Sequence, residues 1–137
     1  MPEATVSPKG TNLRKRGPGV WLAALPPLVR PAGDSMLIVG LGGGVAAANV
    51  PPSVKEIDVF ELEPSVVDAN RFIGPMRSTD PLADPRVSVI LNDGRNGLHL
   101  TTKKYNYIVS QPSHPWTAGA SHLFTREYAV VVRDRLA

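Results

Sequence analysis

The stretch Leu37–Val45, LIVGLGGGV, decides how the rest of this chain is read. An apolar run with two β-branched residues, Ile38 and Val39, passes straight into the turn Gly40-Leu41-Gly42-Gly43-Gly44. A short apolar run bounded by glycine reads as a buried strand. The glycines let the backbone turn sharply and come close to a ligand with no side chain in the way. On its own the turn is a weak signal, because any tight strand-to-helix connection needs glycine, so its meaning depends on what surrounds it.

Four apolar runs are present, Met36–Val39, Ile57–Leu62, Val87–Leu91 and Tyr107–Ser110. Their length and β-branched content predict strands, and their near-continuous apolarity predicts a parallel sheet covered on both faces. Between the second and third, a helix is expected with Pro64 in its first turn and Val66, Val67, Asn70 and Ile73 along one side. A last helix is expected from Thr125, a plausible N-cap, with Tyr128, Val131, Val132 and Leu136 as its apolar stripe. Strands alternating with helices define an α/β, Rossmann-like, doubly wound and mainly parallel sheet. Residues 1–20 are rich in Pro, Gly and Lys/Arg and read as a flexible basic leader, so the domain is placed at 21–137, with a short helix or turn over 21–30.

With 137 residues and 42% hydrophobic content, the chain suits one domain with a modest core. No cysteine is present, which excludes a disulfide framework and a thiolate metal site, and no metal is expected. No apolar run approaches the ~20 residues of a membrane span. The best candidate, Trp21–Val29, is short and interrupted by two prolines, and a cytoplasmic protein is the expectation. The net charge of +3 is scattered apart from Arg14, Lys15 and Arg16, which read as a solvated tail, so nucleic acid is not an expected partner.

In open α/β sheets ligands bind beyond the carboxyl ends of the strands. Those ends carry the glycine turn, then Glu61 and Glu63, then Asn92-Asp93-Gly94, then Gln111-Pro112-Ser113-His114-Pro115-Trp116. Glu61 lies 21 residues after Gly40, close to the ~20 expected of an acid that holds ribose hydroxyls. A dinucleotide fingerprint would want a third glycine where Val45 stands, and Pro51-Pro52 ends the following helix early. Both features weaken a pyrophosphate-binding reading and a nicotinamide-dependent oxidoreductase. Asp93 is either an acceptor for an adenine amino group or part of an ordinary Asp-Gly turn.

Taken together, LIVGLGGGV, VFELEP (Val59–Pro64), DPRVSVILNDGRNGL (Asp84–Leu98) and YNYIVSQPSHPWTAGASHLFTREY (Tyr105–Tyr128) resemble the spermidine synthase-like family. These polyamine aminopropyltransferases share the fold of class I S-adenosylmethionine-dependent methyltransferases. The last segment is most similar to divergent members, many of them fused to membrane segments. The resemblance implies that Gly40, Gly42 and Gly44 flank the methionine-derived part of decarboxylated S-adenosylmethionine or its thioether product. It further implies that Glu61 holds the ribose and that Asp93 and Gly94 hold the adenine. Gln111 falls where the family has its catalytic aspartate, His114 where it has a second acid, and Gly43 where an aspartate is common.

Aminopropyl transfer needs an amine that has lost its proton, and an alkylammonium like that of lysine has a pKa near ~10.4. A carboxylate can attract the cation and accept the proton, whereas glutamine cannot. His114, with an ordinary pKa near ~6.5, is the other candidate base. From Asp93 onward three acids face six Lys/Arg, the reverse of what a pocket for a dicationic polyamine is expected to show. The reading is therefore a nucleoside-binding domain in which polyamine aminopropyl transfer is doubtful. A methyltransferase with an unknown acceptor and a non-catalytic binding or assembly module are the alternatives. The sheet is expected to be incomplete on its C-terminal side, leaving the fourth strand as an exposed edge. Such an edge points to a truncated domain or to a homo-oligomer formed through it.

Overall fold

In the computed structural model, which describes residues 17–110, 116 and 119–137, the four apolar runs are four parallel strands. β1 (Ser35–Val39) lies between β2 (Glu56–Glu61) and β4 (Tyr107–Ser110), and β3 (Val87–Leu91) flanks β2. Val39 sits opposite Phe60 on one side and Ser110 on the other, and Glu61 opposite Leu91, so all four strands end on one rim. The order β3-β2-β1-β4 reverses direction at β1, and a crevice opens at such a switch point.

Helices cover both faces, which is why β1 is apolar at consecutive positions rather than alternate ones. On one face Met36, Ile38, Ile57, Val59 and Val109 pack with Ala23 of α1 (Pro18–Val29), Ala47 of α2 (Val45–Ala48) and Val67 of α3 (Pro64–Ile73). On the other, Leu37, Val39 and Phe60 pack with Tyr105, Leu98 of α4 (Gly94–Leu100) and Tyr128 of α5 (Arg126–Asp134). β3 is less covered than its sequence predicts, with Leu91 57% exposed, because it forms the sheet's far edge.

Local sequence explains most of the helix boundaries. α1 starts at Pro18, inside the stretch read from composition as leader, with proline in its first turn and Gly17 as N-cap. α2 stops at Ala48, ahead of the Pro51-Pro52 break, as expected. α3 begins at Pro64 and buries Val67 and Asn70. Thr125 caps α5, its Oγ1 accepting from Tyr128 N at 3.2 Å. Leu136, expected in the stripe of α5, instead leaves the helix and makes a parallel bridge with Tyr105, next to the start of β4. Beyond that bridge, no strand pairs with the outer edge of β4 among the described residues, in line with the exposed edge expected there.

α4 was not anticipated, since Gly94 and Gly97 both disfavour helix. Asp93 starts it, its Oδ1 accepting from Asn96 N at 2.9 Å. Gly97 is there for packing: a Cβ at this position would stand 2.7 Å from Phe60 Cε2. Alanine would gain up to ~1 kcal/mol of helix propensity but force the Phe60 ring aside at a cost of about 1–3 kcal/mol. Gly97→Ala is therefore expected to lower the denaturant midpoint rather than raise it, and a raised midpoint would show that the ring shifts freely.

Candidate functional site

A cavity of about 720 Å³ opens at the switch point. Its floor is Gly40–Gly43 and the strand ends Phe60–Glu63, Asn92–Gly94 and Ser110. Its walls are the start of α1 (Gly17, Pro18, Gly19, Leu22) and the segment Gly119, Ala120, His122 and Leu123. The last three belong to the turn region around a short 3-10 segment, Ser121–Phe124.

The glycine turn is held from two sides. Glu61, only 7% exposed at the end of β2, aims its carboxylate at the turn rather than at solvent. Its Oε2 accepts from Leu41 N at 2.7 Å and more weakly from Gly42 N at 3.4 Å, and Oε1 accepts from Glu63 N at 3.0 Å. From behind, the buried Asn70 donates through Nδ2 to Gly42 O and Val66 O, both at 2.8 Å. Its Oδ1 accepts from Arg77 Nη1 at 2.9 Å. The turn's amides thus meet a carboxylate, and a carbonyl meets a donor. Gly40 and Gly42 have φ of +92° and +49°, a conformation that suits glycine.

Of the residues singled out from sequence, Gly40, Gly42, Glu61, Asp93 and Gly94 all line the cavity. Gly44 does not. It sits behind the turn, where a Cβ would stand 2.8 Å from Pro81 Cγ and 2.9 Å from Asn70 Oδ1, and it borders a second, smaller groove. Gln111 and His114 lie outside the described residues. Of the two roles left open for Asp93, the structure shows the local one: Oδ1 caps α4, while Oδ2 lies 3.3 Å from His122 Nε2. Sequence reasoning missed Asn70 as a site residue, naming it only for the helix's apolar side, and missed His122 altogether.

The charge of the cavity differs from that of the segment containing it. Among the described lining residues the acids are Glu61, Glu63 and Asp93, and there is no lysine or arginine. The basic excess counted from Asp93 onward faces elsewhere. Lys103 binds Glu56 and Asp58, Lys104 reaches Asp134 O, and Arg135 reaches Leu98 O. Summing charge along a segment therefore misjudged the pocket, because it ignores which way the side chains leave the fold. Burial pushes the Tyr128 phenol up, against the hydrogen bond with Ser110 Oγ, and the Asp93 charge adds to the rise. Tyr128 therefore stays protonated beside the cavity's polar floor.

No cluster of three or more metal-ligating His, Cys, Asp or Glu side chains occurs among the described residues. No described helix is long and apolar enough to cross a membrane.

A cavity at the switch point of a parallel sheet, with a glycine turn and an acid ending the second strand, is the arrangement of an α/β domain of the methyltransferase type. Comparison with known proteins is more specific. Residues 21–137 match the spermine/spermidine synthase domain, and the chain belongs to that family. It is 30% identical to the polyamine aminopropyltransferase of Clostridium perfringens over 106 residues, 76% of this chain and 37% of that protein. The chain thus spans little more than a third of that relative's length. A spermidine synthase solved in complex with the transition-state analogue AdoDATO superposes with a TM-score of 0.78 at 25% identity, covering 86% of this chain and 41% of that one. Human methyltransferase-like protein 13, solved with SAH, shares the fold with a TM-score of 0.60 at 20% identity, covering 87% of this chain and 57% of that one.

Proposed function

We propose that this domain binds a purine nucleoside carrying a sulfonium or thioether side chain, decarboxylated S-adenosylmethionine or its thioether product. The observation that carries the reading is the cavity's charge: three carboxylates and no lysine or arginine among its described lining residues. Such a lining attracts a sulfonium and an ammonium and repels phosphate. It also favours the decarboxylated donor over S-adenosylmethionine, whose carboxylate would add a negative charge to a cavity that already holds three. Family membership and the two ligand-bound neighbours support the same ligand class.

Within this reading each residue has a limited task. A carboxylate offers about four acceptor sites, and Glu61 commits three to backbone amides. The remaining site on Oε1 takes one ribose hydroxyl, and Glu63, which also lines the cavity, is placed to take the other. Asp93 receives the purine amino group. In aminopropyl transfer the amine nitrogen attacks the carbon beside the sulfonium, the carbon–sulfur bond breaks, and the thioether nucleoside leaves. The amine's proton must pass to a base. With Gln111 where the family keeps its aspartate, transfer to a polyamine is slow or absent in this chain.

Titration calorimetry with decarboxylated S-adenosylmethionine, S-adenosylmethionine and methylthioadenosine tests the reading. The decarboxylated donor is expected to bind more tightly than S-adenosylmethionine, and absence of binding by all three would overturn the proposal. Gln111→Asp is expected to create thioether release that requires a di- or polyamine. Release from the unaltered chain with another nucleophile would instead favour methyl transfer, for which the fold match to methyltransferases is the supporting observation.

A further inference from the structure

His122 has no role in the reading above, yet it shares the cavity with Asp93 and lies 29 residues further along the chain. Its Nε2 stands 3.3 Å from Asp93 Oδ2, and both side chains are about one-third exposed. With the ring proton on Nε2, the pair presents a hydrogen-bond donor and an acceptor side by side to the cavity. That is the complement of one edge of a 6-aminopurine, which offers an amino N–H beside the unprotonated ring nitrogen N1. Oδ1 is already used in capping α4, so Oδ2 is the oxygen left for a ligand. A contact of 3.3 Å is at the loose end of the hydrogen-bond range, so the imidazole N–H gives it up or shares it at little cost.

We propose that His122 is a base-reading residue: it donates to purine N1 while Asp93 Oδ2 accepts from the 6-amino group. This assignment rests on the nucleoside reading and goes further by naming the edge of the base that is read. A site built to hydrogen-bond a ligand group discriminates against analogues lacking it, because its own polar groups are then left unpaired. The 3-10 turn carrying His122 lies between β4 and α5.

The test uses methylthioadenosine and its 1-deaza analogue, in which a C–H replaces N1, on the unaltered chain and on His122→Ala. The unaltered chain is expected to bind the 1-deaza compound ~10-fold more weakly, the loss of one hydrogen bond. His122→Ala is expected to bind methylthioadenosine ~10-fold more weakly, with no further loss on the 1-deaza compound. A merely structural histidine would weaken both ligands alike and preserve the ratio between them. An unchanged 1-deaza penalty in His122→Ala would thus overturn the assignment while leaving the nucleoside reading intact. Failure of the unaltered chain to bind methylthioadenosine at all would overturn both.

Discussion

Glu61→Gln is expected to weaken nucleoside binding by about 10- to 100-fold and to destabilise the fold by about 1–3 kcal/mol. The reason is a count of donors and acceptors. Both carboxylate oxygens of Glu61 accept from backbone amides, Oε2 from Leu41 and Gly42 and Oε1 from Glu63. Glutamine has one acceptor oxygen and one NH₂ group. Whichever way its amide is turned, an NH₂ faces a backbone N–H, and a buried donor loses its partner. The glycine turn or the start of α3 then loosens, and with it the floor of the cavity. Calorimetric titration together with urea unfolding measures both effects on one sample. Normal stability with lost binding would mean that Glu61 acts on the ligand alone. Lost stability with normal binding would remove it from the site. Either outcome contradicts the double role proposed for it, as ligand acceptor and as anchor of the turn.

That double role also shows what the sequence made legible. The spacing from Gly40 to Glu61 placed an acid at the cavity, and the structure puts it there. Spacing could not show that the acid is buried and already holds the turn, because that depends on which rotamer the glycine backbone invites. The four strands were readable to within a residue at either end, since a sheet covered on both faces leaves its apolarity in the sequence as continuous runs. α4 was not readable, because its glycines answer to Phe60 and Val39 across the layer and not to helix propensity. His122 was hidden for a related reason. Its partner Asp93 is on a different strand end, and only the parallel order of β3, β2, β1 and β4 brings the two to one rim. Asn70 looked like one more residue of an amphipathic stripe. It is buried because it has three polar partners, which periodicity does not reveal.

At the other end of the sheet, Lys103→Met is expected to cost about 2–3 kcal/mol, more than any nearby surface change. Asp58 points into the α4–α5 layer with its side chain 8% exposed, and its Oδ2 is met by Lys103 Nζ and Tyr105 Oη, both at 2.7 Å. Breaking a buried ion pair from one side typically costs about 3–5 kcal/mol, and the partial exposure of Lys103, 32%, lets water return and trims that figure. Adding Asp58→Asn should restore most of the loss, because the amide oxygen still accepts from Tyr105 and no charge is left buried. The cluster also sets the alkaline limit of stability. Burial alone would lower the Lys103 pKa, but its hydrogen bonds to Asp58 and Glu56 and their charges raise it above 10.5. Burial and the Asp58 carboxylate raise Tyr105 above 10.0. Both groups hold their protons more tightly folded than unfolded. Their contribution is therefore complete below about pH 10 and is lost as pH rises through the folded-state values. In the unaltered chain, stability is expected to fall above that pH with a slope of up to three protons, the raised Tyr128 phenol adding the third. In Lys103→Met the slope is expected to be smaller by about one proton, or ~1.4 kcal/mol per pH unit. Urea midpoints measured from pH 8 to 12 decide the matter. An unchanged slope, or a double variant no more stable than Lys103→Met, would show that Asp58 does not depend on the lysine for its charge.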